Sequence, residues 1–462
     1  MTAPVALDLL LRGATALTAD PARPVIEDVV LGVAGDRIAV LAAADEVSPA
    51  LTARREMALP GRLLTPGFVN VHTHALLCLL RGVSEDMGFA PAYTLGVPHG
   101  HDIAPDEAVA LARLGAMEAM LFGSTLINDS YVHADLTLPA MLELGIRVHA
   151  CPRVHDVDFT TVHQGRWDHH PTIGERSLGA ALDLAARWHG GADGRAGVQI
   201  VPHAADTCSR DLLRAVREAR DATGLRVSTH LAQTPIEVER VRAREGMSPV
   251  ALLDDLGLLD DQLLAAHCIF VDDDDVRRIG RARAHVAHPP KVNSIGGYRA
   301  PTSRLRRAGA RLALATDAMF MDMIESMRWA LATGRTQEGR VDDFWQPGQV
   351  FEMATRAGAA AMGLEAEIGT LTAGRKADLV VIDVRRPHQR PVRDPLGTLV
   401  HACQGRDVEH VLVDGRLVVE DGMPVHVDPE RVAAEAERAA RALWRRAGSL
   451  AVPDGKGGRH GD

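Results

Sequence analysis

Two histidines separated by one residue stand in the segment GFVNVHTHALL, at His72 and His74. The apolar FVNV run before them reads as a strand over 68–71, so both imidazoles project to one side of its end. Two imidazoles so placed can ligate one cation. A histidine pair can equally stand on a polar surface, and this motif alone leaves both readings open. Three more metal-capable side chains close apolar runs further along. RVSTHLAQ ends on His230, LLAAHCIF on His267 and RLALATDAMF on Asp317. Each can separately cap a strand, satisfied by backbone. Taken together, they make a ligand set for one divalent ion.

That set requires a fold that brings the strand ends together. The middle of the chain alternates apolar strand-like runs with helical patterns: STLINDSY, LPAMLELG, IRVHACPRV, an Ala-rich helix near 177–189, VQIVPHA, SRDLLRAVREARDATG and onward to RLALATDA. Such alternation implies parallel βαβ units. Roughly eight fit between residues 65 and 365, which predicts an α/β protein built on a (β/α)8 TIM barrel. In that architecture all strand C-termini open at one face, where active sites sit. The two ends of the chain differ from the middle. LDLLLRGATALTAD and EDVVLGVAGDRIAVLAAAD near the start, and DVEHVLVDGRLVVEDG near the end, read as short strands joined by Gly and Asp turns. The expected division is a β-sandwich from residues 1–62 and 366–427, the barrel over 63–365, and a helix with a disordered tail over 428–462.

Composition narrows the function. The 462 residues carry 21 histidines, more than Phe (8), Trp (5) and Tyr (3) combined. The formal net charge of −10 makes general nucleic-acid or anionic-membrane binding unfavourable. Charges interrupt every long apolar stretch, so no membrane span is expected. Asp8 and Arg12 break the apolar start and no basic region precedes it, so a cytoplasmic location is expected. The five cysteines are scattered and read as buried small residues.

The run of motifs resembles the amidohydrolase superfamily. It looks most like the branch with atrazine chlorohydrolase, guanine deaminase, S-adenosylhomocysteine deaminase and the phenylurea and molinate hydrolases. The likeness extends from PGFVNVHTH through GSTLINDS, VPHAADTCS, STHLAQT, AAHCIFV and LATDA to GTLTAGRKADLVVID and DGRLVVEDG. The resemblance implies a distorted (β/α)8 barrel with a small β-sandwich from both termini. It makes His72, His74, His230 and Asp317 the metal ligands, with Asp317 also taking a proton from the attacking water. His267 would polarise the water or the substrate carbonyl, and His203 would contact substrate. Binuclear relatives commonly use a carboxylated lysine near the segment IRVHACPRV, which has none. One divalent metal is therefore expected, Zn2+ first, with Fe2+, Co2+ or Mn2+ also compatible. A small-molecule substrate and a homo-oligomer (dimer or tetramer) are further implications.

One departure shapes the expected chemistry. The deaminase branch usually has a glutamate three residues after the fifth-strand histidine, where this chain has Gln233. That glutamate protonates a ring nitrogen, and a glutamine can only donate or accept hydrogen bonds. The reading that follows is hydrolysis of a urea, carbamate or amide, with Gln233 orienting the substrate. The alternatives are an aminohydrolase or chlorohydrolase of an N-heterocycle such as a triazine, purine or pterin, and a non-catalytic scaffold.

Other residues carry weaker signals. Asn293, in HPPKVNSIGGYRAP, stands where the family has a loop-ordering asparagine, and Lys291 faces either substrate or surface. Arg153, placed at the end of the fourth strand, is a substrate-contact candidate. Tyr93, Leu95, His99 and His101 are expected in a loop near the pocket. His155, His163, His169 and His170 are expected in a solvated loop, not at a second metal. Met319, Phe320, Met321 and Met323 line either an apolar pocket or a core helix face.

Overall fold

The structure is a computed structural model and describes residues 6–86 and 96–447. Tyr93, Leu95 and the tail expected over 448–462 lie outside the described residues.

Five strands precede the barrel: β1 (Leu7–Leu17), β2 (Val25–Ala34), β3 (Arg37–Ala43), β4 (Ala53–Ala58) and β5 (Arg62–Pro66). Ten strand segments build the barrel: β6 (Phe68–Thr73), β7 (Ser124–Asp129), β8 (Arg147–Ala150), β9 (Arg153–Val154), β10 (Ala196–Val198), β11 (Val201–Pro202), β12 (Val227–Leu231), β13 (Leu263–His267), β14 (His285–His288) and β15 (Arg311–Leu314). Four more follow: β16 (Leu379–Asp383), β17 (Val408–Val413), β18 (Arg416–Glu420) and β19 (Met423–Pro424).

The strands from both termini join in one nine-stranded sheet, because β5 pairs with β1 on one side and with β16 on the other. The sheet curls around a shared apolar core that includes Leu9, Leu11, Leu31, Leu64, Leu379 and Leu412. The Asp-Gly signal at the chain's end makes a tight hairpin between β17 and β18. Asp414 and Gly415 both have positive φ, 48° and 74°, as a two-residue primed turn requires.

The barrel strands are parallel, and most are buried along their whole length. That explains their near-continuous apolar runs. They fall into two four-stranded ladders, β6-β7-β8-β10 and β12-β13-β14-β15, and a short one of β9 and β11. Isolated bridges close the circle: Thr73 to Asp317 at one seam, and Ile200 to Val227 and Ala204 to His230 at the other. The barrel is thus distorted at two seams, and each seam holds a residue of the ligand set.

The position of Arg153 corrects the sequence reading. Arg153 lies in β9, a continuation of the third barrel strand and not the end of the fourth. Cys151 and Pro152 interrupt the ladder after β8, as a residue without an N–H must. The fourth strand begins only after the helix Pro171–Trp188.

Barrel and terminal sheet are locked by a buried charge cluster. The Arg147 guanidinium lies 2.8 Å from Asp414 Oδ1 and 3.2 Å from Asp378 Oδ2. Among the described residues no helix is long and apolar enough to cross a membrane.

Candidate active site

Five side chains of the sequence-predicted set meet at the C-terminal mouth of the barrel. His72 is next to last in β6, His230 next to last in β12 and His267 last in β13. His74 and Asp317 follow β6 and β15. Asp317 Oδ1 lies 3.5 Å from His72 Nε2 and 3.3 Å from His74 Nε2, and its Oδ2 lies 3.9 Å from His267 Nε2. His74 Nε2 and His230 Nε2 are 3.3 Å apart. All five are at most 6% exposed.

Hydrogen bonds at the far side of the rings fix their orientation. His74 Nδ1 donates to the Ser130 carbonyl. His230 Nδ1 donates to the His203 carbonyl at 2.7 Å, and His267 Nδ1 donates to Asn293 Oδ1 at 3.0 Å. These bonds place the proton on Nδ1 and leave the Nε2 lone pairs facing the shared centre. Asn293 thus holds His267, which gives the predicted position a defined contact.

The backbone is strained to deliver these groups. His267, Asp317 and Ala232 have φ of 74°, 66° and 49°. Such left-handed conformations are costly away from glycine and persist only where the surroundings enforce them. At Asp317 the enforcement is visible. Its N–H bonds the His72 carbonyl at 3.0 Å, and its carbonyl accepts from His74 N at 2.9 Å and Thr73 Oγ1 at 2.8 Å. Asn70 and Thr316 pair beside it through 2.7 and 3.1 Å bonds. At Gly115 the helix Pro105–Leu121 presses on the segment after His74, since a Cβ there would lie 2.1 Å from the Ala75 carbonyl oxygen.

The electrostatics suit neutral imidazoles around an anionic carboxylate. Burial pulls His74 down to about 3, with His72 adding to the effect. Burial, then His72, holds His230 well below the usual range. Burial alone would raise Asp317, but the imidazoles of His72, His267 and His74 outweigh it and leave it at about 2. Neutral imidazole and ionised carboxylate are the metal-binding forms. The group also fits a divalent metal on steric grounds. His72 Nε2 is buried with no hydrogen-bond partner, and the ligand atoms of His72, His74 and His230, and of His72, His267 and Asp317, lie within 4.8 Å of one another.

The remaining candidates are placed as follows. His203 is 5% exposed and packs between Phe159 and His230, with ring centroids 5.1 and 4.9 Å away. The Arg153 guanidinium covers Tyr131 at 4.2 Å and Phe159 at 4.9 Å, so it sits one ring beyond His203. Gln233 is 4% exposed, and its backbone N–H is bound by Glu237 Oε2 at 2.8 Å. Lys291 pairs with Glu325 at 2.7 Å and lies over Phe320. Met321 and Met323 are fully buried core residues. His155, His163 and His169 do not converge: they contact the Val157 carbonyl, His99 and Asp156, respectively. His99, His101 and Asp102 form a further potential ligand group at the partly exposed rim.

Three residues near the site escaped the sequence reading. His288 closes β14 as the other histidines close their strands, is 2% exposed, and has neither ring nitrogen hydrogen-bonded. Asp129 closes β7, accepts from Ala75 N at 2.6 Å, and is pushed up to about 6 by burial. Glu237 is fully buried under the turn after His230 and accepts from Ala232 N at 2.9 Å as well as from Gln233 N. The strand-end signal was present for His288 and Asp129. Only the tertiary contact reveals Glu237.

Comparison with known proteins gives the family and the fold. The profile of the amidohydrolase family matches residues 63–418. The chain is 33% identical over 420 residues to a 5-methylthioadenosine/S-adenosylhomocysteine deaminase of Moorella thermoacetica, covering 89% of this chain and 94% of that protein. It is 30% identical over 395 residues to a 5'-deoxyadenosine deaminase of Methanosarcina acetivorans, covering 84% and 88%. The crystal structure of an adenosine deaminase from Xanthomonas campestris with bound zinc shares the fold. Its TM-score is 0.84 at 23% identity, over 96% of this chain and 99% of that one.

Proposed function

The chain belongs to the amidohydrolase family, and from that premise we propose that it is a metal-dependent deaminase of adenosine-like nucleosides, with zinc as the metal. The single observation that carries the reading is the convergence of His72, His74, His230, His267 and Asp317 at one mouth. Its combination with deaminase relatives over most of the chain supports the substrate class. The relatives make the chain a hydrolase of carbon–nitrogen bonds other than peptide bonds, which removes the scaffold alternative. They also correct the expectation of a urea, carbamate or amide substrate. That expectation rested mainly on Gln233, and the N-heterocycle alternative is the better supported one.

His72, His74, His230 and Asp317 would hold the ion. When bound, a divalent metal lowers the pKa of water toward neutrality. The remaining steps belong to the chain's own residues. The Asp317 carboxylate, ionised at neutral pH, takes one proton from the attacking water. The water oxygen bonds to the amino-bearing ring carbon, and the electron pair moves to the adjacent ring nitrogen. Gln233 donates a hydrogen bond from its amide to that nitrogen. Asp317 then passes its proton to the amino group, the carbon–nitrogen bond breaks, and ammonia leaves. The second water proton ends on the ring nitrogen, giving the ring carbonyl product. His267, held by Asn293, hydrogen-bonds the attacking oxygen. His203, Phe159 and Arg153 form the wall beside the reacting centre.

The test is to incubate zinc-loaded protein with adenosine, 5'-deoxyadenosine and 5'-methylthioadenosine and follow the adenine absorbance. Conversion of at least one to its inosine counterpart is expected. No conversion of any by protein shown to hold metal overturns the proposal.

A further inference from the structure

The barrel carries a second cavity, at the end opposite the histidine cluster. It has a volume of about 550 Å³ and is lined by Arg226, Arg311, His285 and His149 among others. Arg226 precedes β12, while His285 and Arg311 open β14 and β15. The N-terminal strand ends of a TIM barrel ordinarily serve stability and not chemistry. Here they gather basic groups that the fold leaves unsatisfied.

His149 and His285 are 8% and 2% exposed, and among the described residues the Nδ1 of each has no hydrogen-bond partner. Arg226 Nε is buried and equally unpartnered. Its Nη2 makes one long contact, 3.5 Å to the Ala360 carbonyl. Among the described residues Arg311 Nη1 reaches only His285 Nε2, at 3.5 Å. Among the described residues neither arginine has an ion-pair partner within 4.0 Å. Nearby Arg220 does, with Asp260 at 2.7 Å. Asp261 and Glu365 line the cavity and are exposed; with Asp260 they act on Arg226 through space, none of them as an ion pair within 4.0 Å. Leaving buried donors and a guanidinium unpaired costs free energy that a bound anion would offset.

We propose that this cavity is a second ligand site, for a small phosphate-bearing molecule. Donors arrive from four separate strands or their leading residues, which suits a tetrahedral oxyanion better than a planar carboxylate. The volume lies in the range of small-molecule sites. In the occupied site Arg226 and Arg311 bind phosphate oxygens, and the Nδ1–H groups of His149 and His285 complete the set. The site is separate from the catalytic mouth, so its ligand does not compete with substrate.

The experiment is calorimetric titration of the metal-loaded full chain with inorganic phosphate. It is repeated on Arg226→Gln, Arg311→Gln and His72→Ala, each checked by circular dichroism. The expected result is one saturable site, weakened at least about tenfold by each arginine change and retained in His72→Ala. Arg311 is partly exposed, so its substitution keeps the test usable if Arg226→Gln fails to fold. Three results would overturn the proposal: no saturable binding by the unaltered protein, unchanged affinity in the folded arginine variants, or binding lost with His72→Ala.

Discussion

His72 Nε2 faces Asp317 Oδ1 at 3.5 Å across the seam where the last barrel strand returns to the first. The two residues are 245 positions apart and come from opposite ends of the barrel sequence. Their approach is fixed by a backbone bond between the same two residues, since Asp317 N donates to the His72 carbonyl. Asp317 is therefore held by main chain, and its side chain can change without loosening the seam.

The first prediction follows from that separation. Asp317→Asn should keep the fold while lowering ammonia release by about 10²–10⁴-fold, the usual worth of a general acid–base group. Steady-state kinetics alongside thermal unfolding checks it. A variant that stays active would remove Asp317 from proton transfer.

Gln233 gives the second prediction. If it only donates a hydrogen bond to the ring nitrogen, a titratable acid there should do better. Gln233→Glu should raise deamination of adenosine-like substrates by up to about 10²-fold. Turnover numbers of the two forms on one substrate decide it, and a fall in the variant would contradict the assigned role.

Glu237 should leave a signature in the pH dependence of stability. Burial pushes its carboxyl up to about 8 from an ordinary 4.5, and Asp206 adds to the effect. The folded state then binds more protons than the unfolded state between those values. Its contribution is full below pH 4.5 and is lost as pH rises through 8. Denaturant titrations of the native protein should show stability falling across this window, with a slope from this group of at most about 1.4 kcal/mol per pH unit. Glu237→Gln should flatten that slope; an unchanged slope would show that Glu237 ionises normally.

Arg147 tests the junction between barrel and terminal sheet. It is 3% exposed and faces two carboxylates. Arg147→Ala leaves Asp378 buried without its cation and Asp414 with Lys376 alone, at 3.2 Å, and should cost about 3–5 kcal/mol. Equilibrium unfolding measures it, and a loss near zero would show that solvent reaches the pair.

Much of this architecture was legible before any coordinates. Strand-like runs each ending in His or Asp carried both the barrel and the five-residue cluster, because parallel strands bring their C-termini to one face whatever the loops do. The terminal sheet was legible from turn chemistry, as at Asp414 and Gly415. What failed was inference from single residues. Gln233 was read as favouring a urea, carbamate or amide over the heterocycle alternative, although a hydrogen bond can take part of an acid's role. Arg153 was assigned to the wrong strand because Pro152 splits one strand into two. Glu237 was silent because a helical glutamate looks solvent-facing until the turn after His230 folds over it. The basic cavity was silent too, since Arg226, His285 and Arg311 mark strand beginnings and no local motif links them to His149.

The central claim is that this chain releases ammonia from an adenine ring. The most direct measurement offers zinc-loaded protein 5'-methylthioadenosine and, in parallel, a phenylurea and a carbamate, and identifies the released amine and the remaining product. The account predicts free ammonia and the inosine counterpart from the nucleoside, with no substituted amine from the other two. Substituted amine from the urea or carbamate, with the nucleoside untouched, would contradict it.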